Sequence, residues 1–281
     1  LLLVAFELLV LPLGYYAGFV REHAFGLSTQ TAGGWLLDRG KGFLVSLVLG
    51  VPAGTLLVTL WRKYPGRWVL PAWLLAAGLT VLLVALAPVV LDPLFNTIRP
   101  LADPELRARV LRLAEQAGLP VQQVYETDAS RRTRKGNAYF TGLGATKRIV
   151  LYDTLVRSSR PEEVELILAH EMGHWQRAHI WKGLALSLAG LWVALWLGAR
   201  ALEWAARRPG LHLAGPADVA GVPVFLLAVY LLSLFSLPVQ AGISRHFERQ
   251  ADRASLRLTR NPAAFIQAEV GLARSNLADL T

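Results

Sequence analysis

Cysteine is absent from the 281 residues, which excludes disulfides and thiolate-held metals. Charge is scarce: 17% of residues are charged, where ordinary globular chains carry about 25%. With 54% hydrophobic residues and a mean hydropathy of +0.40, this is the composition of a membrane protein. A basic leader is missing too, so residues 1–20, interrupted only by Glu7, read as a spanning helix rather than a signal peptide. No methionine stands at position 1, and the chain is expected to be a fragment. Repeats and low-complexity stretches are lacking. No aromatic residues interleave the densest basic cluster, Arg131, Arg132, Arg134 and Lys135. Despite a net charge of +9, nucleic acid is therefore not an expected partner, and the cluster reads as a solvated or headgroup-facing loop.

Long apolar runs are what the chain does have. Residues 43–61, 68–91, 183–199 and 222–243 are uncharged, and a helix needs about 20 residues to cross the hydrocarbon. The third run is short, but Ile180 and Trp181 extend it across Lys182, whose long side chain can snorkel. Pro52, Pro71, Pro88 and Pro238 fall in or near these runs, where membrane helices tolerate them. Residues 1–20 supply a fifth span. Alternating crossings then put the polar region 92–179 and the segment 244–281 on the same face of the bilayer. Basic residues occur on both faces and lean toward a cytoplasmic location for these segments, in a plasma, inner or ER-type membrane. The expected fold class is mainly α, a polytopic α-helical membrane protein with a small α+β domain. Its expected parts are spans in 1–91, a polar domain in 92–179, two spans in 180–243 and a final polar segment in 244–281.

Within the polar region, Asp103, Pro104 and Glu105 form an N-cap, a proline at the first helical position and a first-turn acid. The helix they open is expected to run to about Ala117, with Val110, Leu111, Leu113 and Ala114 inward and Gly118 as its stop. Residues 121–126, 138–140 and 149–153 read as strands. Ser159 and Glu162 suit a capping box for a second helix, with Val164, Ile167, Leu168 and Met172 on its apolar side.

That second helix carries His170-Glu171-Met172-Gly173-His174. Residues four apart share a helix face roughly 6 Å apart along the axis, so both imidazoles can reach one ion. Glu171 is then placed to act on a water rather than on the metal. The chance expectation for this string at this composition is on the order of 0.005 occurrences. Catalytic zinc sites usually take three protein ligands and leave one position open. His179 does not suit as the third, since it lies roughly 140° around the helix from His174, and it reads as a supporting or membrane-interface residue. Glu203 falls on the opposite face of the membrane, and Glu162, Glu163 and Glu165 precede the motif on its own helix. Glu248, just past the last span, is the expected third ligand, with Glu269 a distant second choice. Asp252 is one turn beyond Glu248 and can accept the free N–H of a liganding imidazole. The implied chemistry is hydrolysis at one zinc ion, with Glu171 moving the proton from water to the leaving amine. Arg245 and His246 are alternatives for an additional oxyanion donor.

Several co-linear motifs resemble the type I CAAX prenyl endopeptidases, a family of multi-span membrane zinc metalloproteases. They are Glu22-His23-Ala24-Phe25-Gly26-Leu27-Ser28 with Gln30 and Thr31; Pro93-Leu94-Phe95-Asn96; Asn137-Ala138-Tyr139-Phe140-Thr141-Gly142; Lys147-Arg148-Ile149-Val150-Leu151-Tyr152-Asp153-Thr154-Leu155; the residues from His170 to Trp175; and Ser244-Arg245 with Glu248 and Asp252. The resemblance implies a cage of spanning helices around an intramembrane chamber. It also implies that Asn137 and Ala138 belong to an edge strand that hydrogen-bonds the backbone of a peptide or protein substrate, prenylated or otherwise membrane-associated. It further implies seven spans where five are counted, an Asn where Gln240 stands, and a C-terminal segment with a catalytic His beyond Thr281. Two alternatives are an HtpX-type quality-control protease and a non-catalytic receptor or transporter with a structural zinc. The match at Asn137–Gly142 and the loop from Glu22 to Thr31 favour the prenyl endopeptidase, and the absence of cysteine disfavours a closed four-ligand site.

Overall fold

The computed structural model describes residues 2–141 and 148–275. Gly142 and Lys147 of the motifs above, and residues 276–281, lie outside the described residues. Among the described residues, eleven α-helices and four strands follow in this order. Helix α1 (Leu2–Tyr15) continues through a π-helical turn into α2 (Arg21–Ala24), then come α3 (Ala32–Lys63) and α4 (Val69–Leu86). A second π turn leads into α5 (Asp92–Phe95). The polar region contains β1 (Ile98–Pro100), α6 (Pro104–Gln116), β2 (Val124–Thr127), β3 (Ala138–Thr141), β4 (Arg148–Tyr152), α7 (Asp153–Ser158) and α8 (Pro161–Gln176). Helices α9 (His179–Ala206), α10 (Val222–Thr259) and α11 (Pro262–Ser275) complete the chain. Among the described residues, five helical segments are long and apolar enough to cross a membrane: Leu3–Ala24, Ala32–Lys63, Val69–Phe95, His179–Ala206 and Val219–Thr259. Their outward side chains, such as Leu9 and Phe235, are largely exposed, as lipid-facing residues are.

The chain divides into two compact units, one of Leu1–Leu47, Ala85–Arg177 and Glu248–Thr281, the other of Val48–Val84 and Ala178–Phe247. The first holds the sheet, ordered β1-β2-β4-β3, with β2 and β4 parallel and the outer pairs antiparallel. Ile149, Leu151, Val110, Leu155, Leu168 and Met172 pack its core with essentially no exposure. In the second unit Trp61, Trp68, Ala72, Leu195 and Leu202 form an apolar cluster. Two indole N–H groups there donate to backbone carbonyls, Trp61 to Pro216 at 3.1 Å and Trp73 to Leu188 at 2.8 Å. Buried indoles keep their donor satisfied in this way.

Local chemistry explains where elements begin and where expectations shift. Asp103 caps α6, accepting from Glu105 N and Leu106 N, and Gly118 at φ 69° stops it. The cap of α8 differs from the expected pair by one residue. Pro161 at the first helical position holds Arg160 extended, so Arg160 is the N-cap and its N–H donates to Glu163 at 3.0 Å. The strand expected at 149–153 ends at Tyr152, because Asp153 opens α7. The one expected at 121–126 starts at Val124 and ends at Thr127; β1 was not anticipated. Helix α8 and α9 are separated by Ala178 in the left-handed region at φ 54°, so the helical-wheel angle from His174 to His179 does not apply.

In the basic cluster Arg131 and Arg134 are exposed, as a solvated or headgroup-facing loop would have them, while the other two members are engaged in ion pairs. Arg132 forks onto Asp38, at 2.6 and 3.2 Å, and Lys135 Nζ lies 2.9 Å from Glu22. Glu7, the charge inside the first span, is paired with Arg39 at 2.5 Å.

Candidate metal centre

Helix α8 presents His170 and His174 one turn apart, and α10 brings Glu248 to them. The His170 and His174 Nε2 atoms are 3.1 Å apart. Glu248 Oε2 lies 3.3 Å from the first and 3.6 Å from the second. One ligand atom from each of these three side chains falls within 4.8 Å of the other two. Two imidazole nitrogens and one carboxylate oxygen are a donor set suited to zinc. Behind it, Asp252 Oδ1 approaches His170 Nδ1 to 2.9 Å, close although not aligned as a hydrogen bond.

The close approach of α10 to α8 has a specific cause. Gly173 stands between the two histidines, and a Cβ there would sit 2.9 Å from both Ala251 Cα and Ala254 Cβ. Only a residue without a side chain fits that contact. One turn on, the buried Ser255 hydroxyl donates to Leu166 O at 3.1 Å. The small residues Ala251, Ala254 and Ser255 at helical spacing were the overlooked sequence signal for this packing.

A cleft of about 420 Å³ adjoins the cluster, lined among others by Asn137, Ile167, His170, Glu171, Phe265 and Glu269. Burial pushes the Glu171 carboxyl above the usual range; His170 opposes that and the Glu248 charge adds to it. Glu269, from α11, is raised by burial and then by the charges of Asp252 and Glu248. It lines the cleft but does not join the three-donor group.

The cleft also meets the rim of the sheet. Strand β3 is the last in the order, so its outer side is open among the described residues. Tyr152 N donates to Asn137 O at 2.9 Å, and pairing alternates from there, so the main-chain groups of Ala138 and Phe140 face away from β4. Asn137 Oδ1 accepts from Ala138 N at 2.9 Å. The Phe140 and Trp175 rings lie 6.3 Å apart, joining this strand to the helix of the histidines.

The remaining sequence candidates lie elsewhere or are otherwise engaged. Glu162 and Glu165 reach Arg109, each at 3.6 Å, and Glu203 pairs with Arg200 at 2.7 Å. His179, 4% exposed, stacks on Phe247 with ring centres 4.2 Å apart. Arg245 and His246 belong to the second unit, where His246 lines an apolar groove with Lys182, Leu186 and Phe247.

Comparison with known proteins matches the profile of Peptidase family M48 to residues 100–279, and that of the CAAX prenyl protease N-terminal region, five membrane helices, to residues 1–97. An uncharacterized metalloprotease of Bacillus subtilis, YhfN, is 35% identical over 277 residues, covering 97% of this chain and 64% of its own length. CAAX prenyl protease 1 of Saccharomyces cerevisiae is 39% identical over 171 residues, 60% of this chain and 38% of that protein. The crystal structure of S. mikatae Ste24p superposes with a TM-score of 0.87 at 30% identity, covering all of this chain and 68% of that one. The chain thus spans about two thirds or less of the length of these relatives.

Proposed function

Since the chain belongs to peptidase family M48, we propose that it is a membrane-integral zinc endopeptidase that cleaves near the C-terminus of prenylated, CAAX-type or similar membrane-associated peptides. It is a multi-pass membrane protein, and family membership implies a metal ion. The proposal specifies one zinc, held by His170, His174 and Glu248, in a site facing the cytoplasm. The observation that carries it is the meeting of this donor set with Glu171 in a cleft bordered by an open strand edge.

Zinc in that position would supply Lewis acidity toward the scissile carbonyl and the attacking water. The chain's own residues do the rest. A peptide laid along β3 pairs with the Ala138 carbonyl and the main-chain groups of Phe140, which orients its own carbonyl toward the histidines. Glu171 takes the proton from water and returns it to the leaving amine; burial holds its carboxyl above the usual glutamate value. Asp252, whose Oδ1 lies 2.9 Å from His170 Nδ1, is proposed to orient that ring.

The test compares the protein with Glu171→Gln on a farnesylated CAAX peptide and on an unprenylated membrane protein. Retained zinc with abolished cleavage of the farnesylated peptide supports the reading. Equal turnover by the variant would sink it, and cleavage of the unprenylated substrate alone would shift it to quality-control proteolysis.

A further inference from the structure

Arg132 and Asp38 anchor a polar cluster outside the metal centre. Asp38 sits on α3, in a segment long and apolar enough to span a membrane, where an ionisable residue needs a partner. Arg132 Nε and Nη2 both reach its carboxylate, Arg132 Nη1 donates to Asn96 Oδ1 at 2.7 Å, and Gln30 Nε2 donates to Asp38 at 2.6 Å. Each member of the fork is about one-fifth exposed, 20% for Arg132 and 21% for Asp38. A paired guanidinium and carboxylate fix direction as well as distance.

Arg132 lies six residues before the start of β3, and main-chain bonds connect the two. Thr29 N donates to Arg132 O at 3.1 Å and Arg134 N to Leu27 O at 3.0 Å. On the opposite side, Thr154 Oγ1 donates to Lys135 O at 2.8 Å and Tyr152 N to Asn137 O at 2.9 Å. Residues 132 and 134 therefore face the loop from Glu22 to Thr31, while 135 and 137 face β4 and α7. The same alternation turns the main-chain groups of Ala138 and Phe140 away from β4. Lys135 adds a second tie through Glu22. Gly136 has little slack, since a Cβ on it would come within 3.1 Å of Leu155 Cδ1.

We propose that Arg132, through its fork on Asp38, is a positioning residue for peptide binding: it docks the loop between the first two spans against residues 132–134 and so sets the register of Asn137 and Ala138. It touches neither peptide nor metal. The proposal rests on β3 being the peptide-binding edge, as read above.

The experiment uses the full chain in nanodiscs with Glu171→Gln as the background, which binds without cleaving. Affinity is measured for a fluorescent farnesylated CAAX peptide and for acetohydroxamate, which needs only the metal. Asp38→Asn and Arg132→Gln are expected to weaken the peptide about tenfold or more. Arg132→Lys, which keeps charge but not the fork, should fall between. Zinc content and hydroxamate affinity should not change. Unaltered peptide affinity in zinc-loaded Asp38→Asn overturns the proposal, and so does a parallel loss of peptide and hydroxamate. Asp38→Asn is nearly isosteric and carries the test if Arg132→Gln fails to fold. Failure of the background protein itself to bind the peptide would instead count against the peptidase reading.

Discussion

Gly173 and Ala251 are in backbone-level contact: a methyl group on the glycine would meet the alanine Cα at 2.9 Å. This contact sets how near α10 comes to α8, and through it how near Glu248 comes to His170. Gly173→Ala should therefore push the helices apart, cost about 1–3 kcal/mol in stability, and lower zinc occupancy. Metal analysis and thermal melting check this. A variant that keeps full zinc and full activity would remove the packing account.

Asp252 approaches the far nitrogen of His170 at 2.9 Å. Asp252→Ala should weaken zinc about 10–100-fold, the usual range for a group supporting a liganding imidazole. Titration against a zinc-buffering chelator measures it, and an unchanged dissociation constant would mean the contact has no bearing on the metal.

Burial raises the Glu171 carboxyl above the ordinary glutamate value when no metal is bound. The folded metal-free protein then holds this proton more tightly than the unfolded chain. Stability must fall as pH rises from the ordinary glutamate value through the raised one. Glu171→Gln removes the effect, so the metal-free variant should melt above the metal-free parent at neutral pH, with the gap closing near pH 4. A gap of equal size at both pH values would contradict this sign.

Asn137 Oδ1 holds the Ala138 N–H at 2.9 Å, at the start of the open strand edge. Asn137→Ala should raise KM for a peptide substrate several-fold, about the effect of one hydrogen bond, while leaving zinc content intact. Steady-state kinetics would show otherwise if kcat alone fell.

The sequence was informative where chemistry is periodic or local. Five apolar runs, the cap at Asp103 and the four-residue spacing of His170 and His174 are visible without coordinates. Span counting also places residue 248 on the same face as residue 170, which the helices bring within 3.3 Å. What could not be read depends on distant partners or on one backbone angle. The 94-residue separation of Asp38 and Arg132 hides an ion pair inside what looks like a basic loop. A run of polar and apolar residues through 176–180 gives no sign that Ala178 turns left-handed and separates two helices. The one-residue shift of the α8 cap follows from Pro161, whose constraint on Arg160 outweighs the better capping chemistry of Ser159.

The ring contact between Phe140 and Trp175 joins the open strand to the residue directly after His174. If a peptide on the strand alters the affinity of the metal by way of this contact, the metal must alter the affinity of the peptide by the same factor, since linkage between two sites is reciprocal. The two occupants of the cleft would then report on each other. Trp175 fluorescence is the natural place to watch either one arrive.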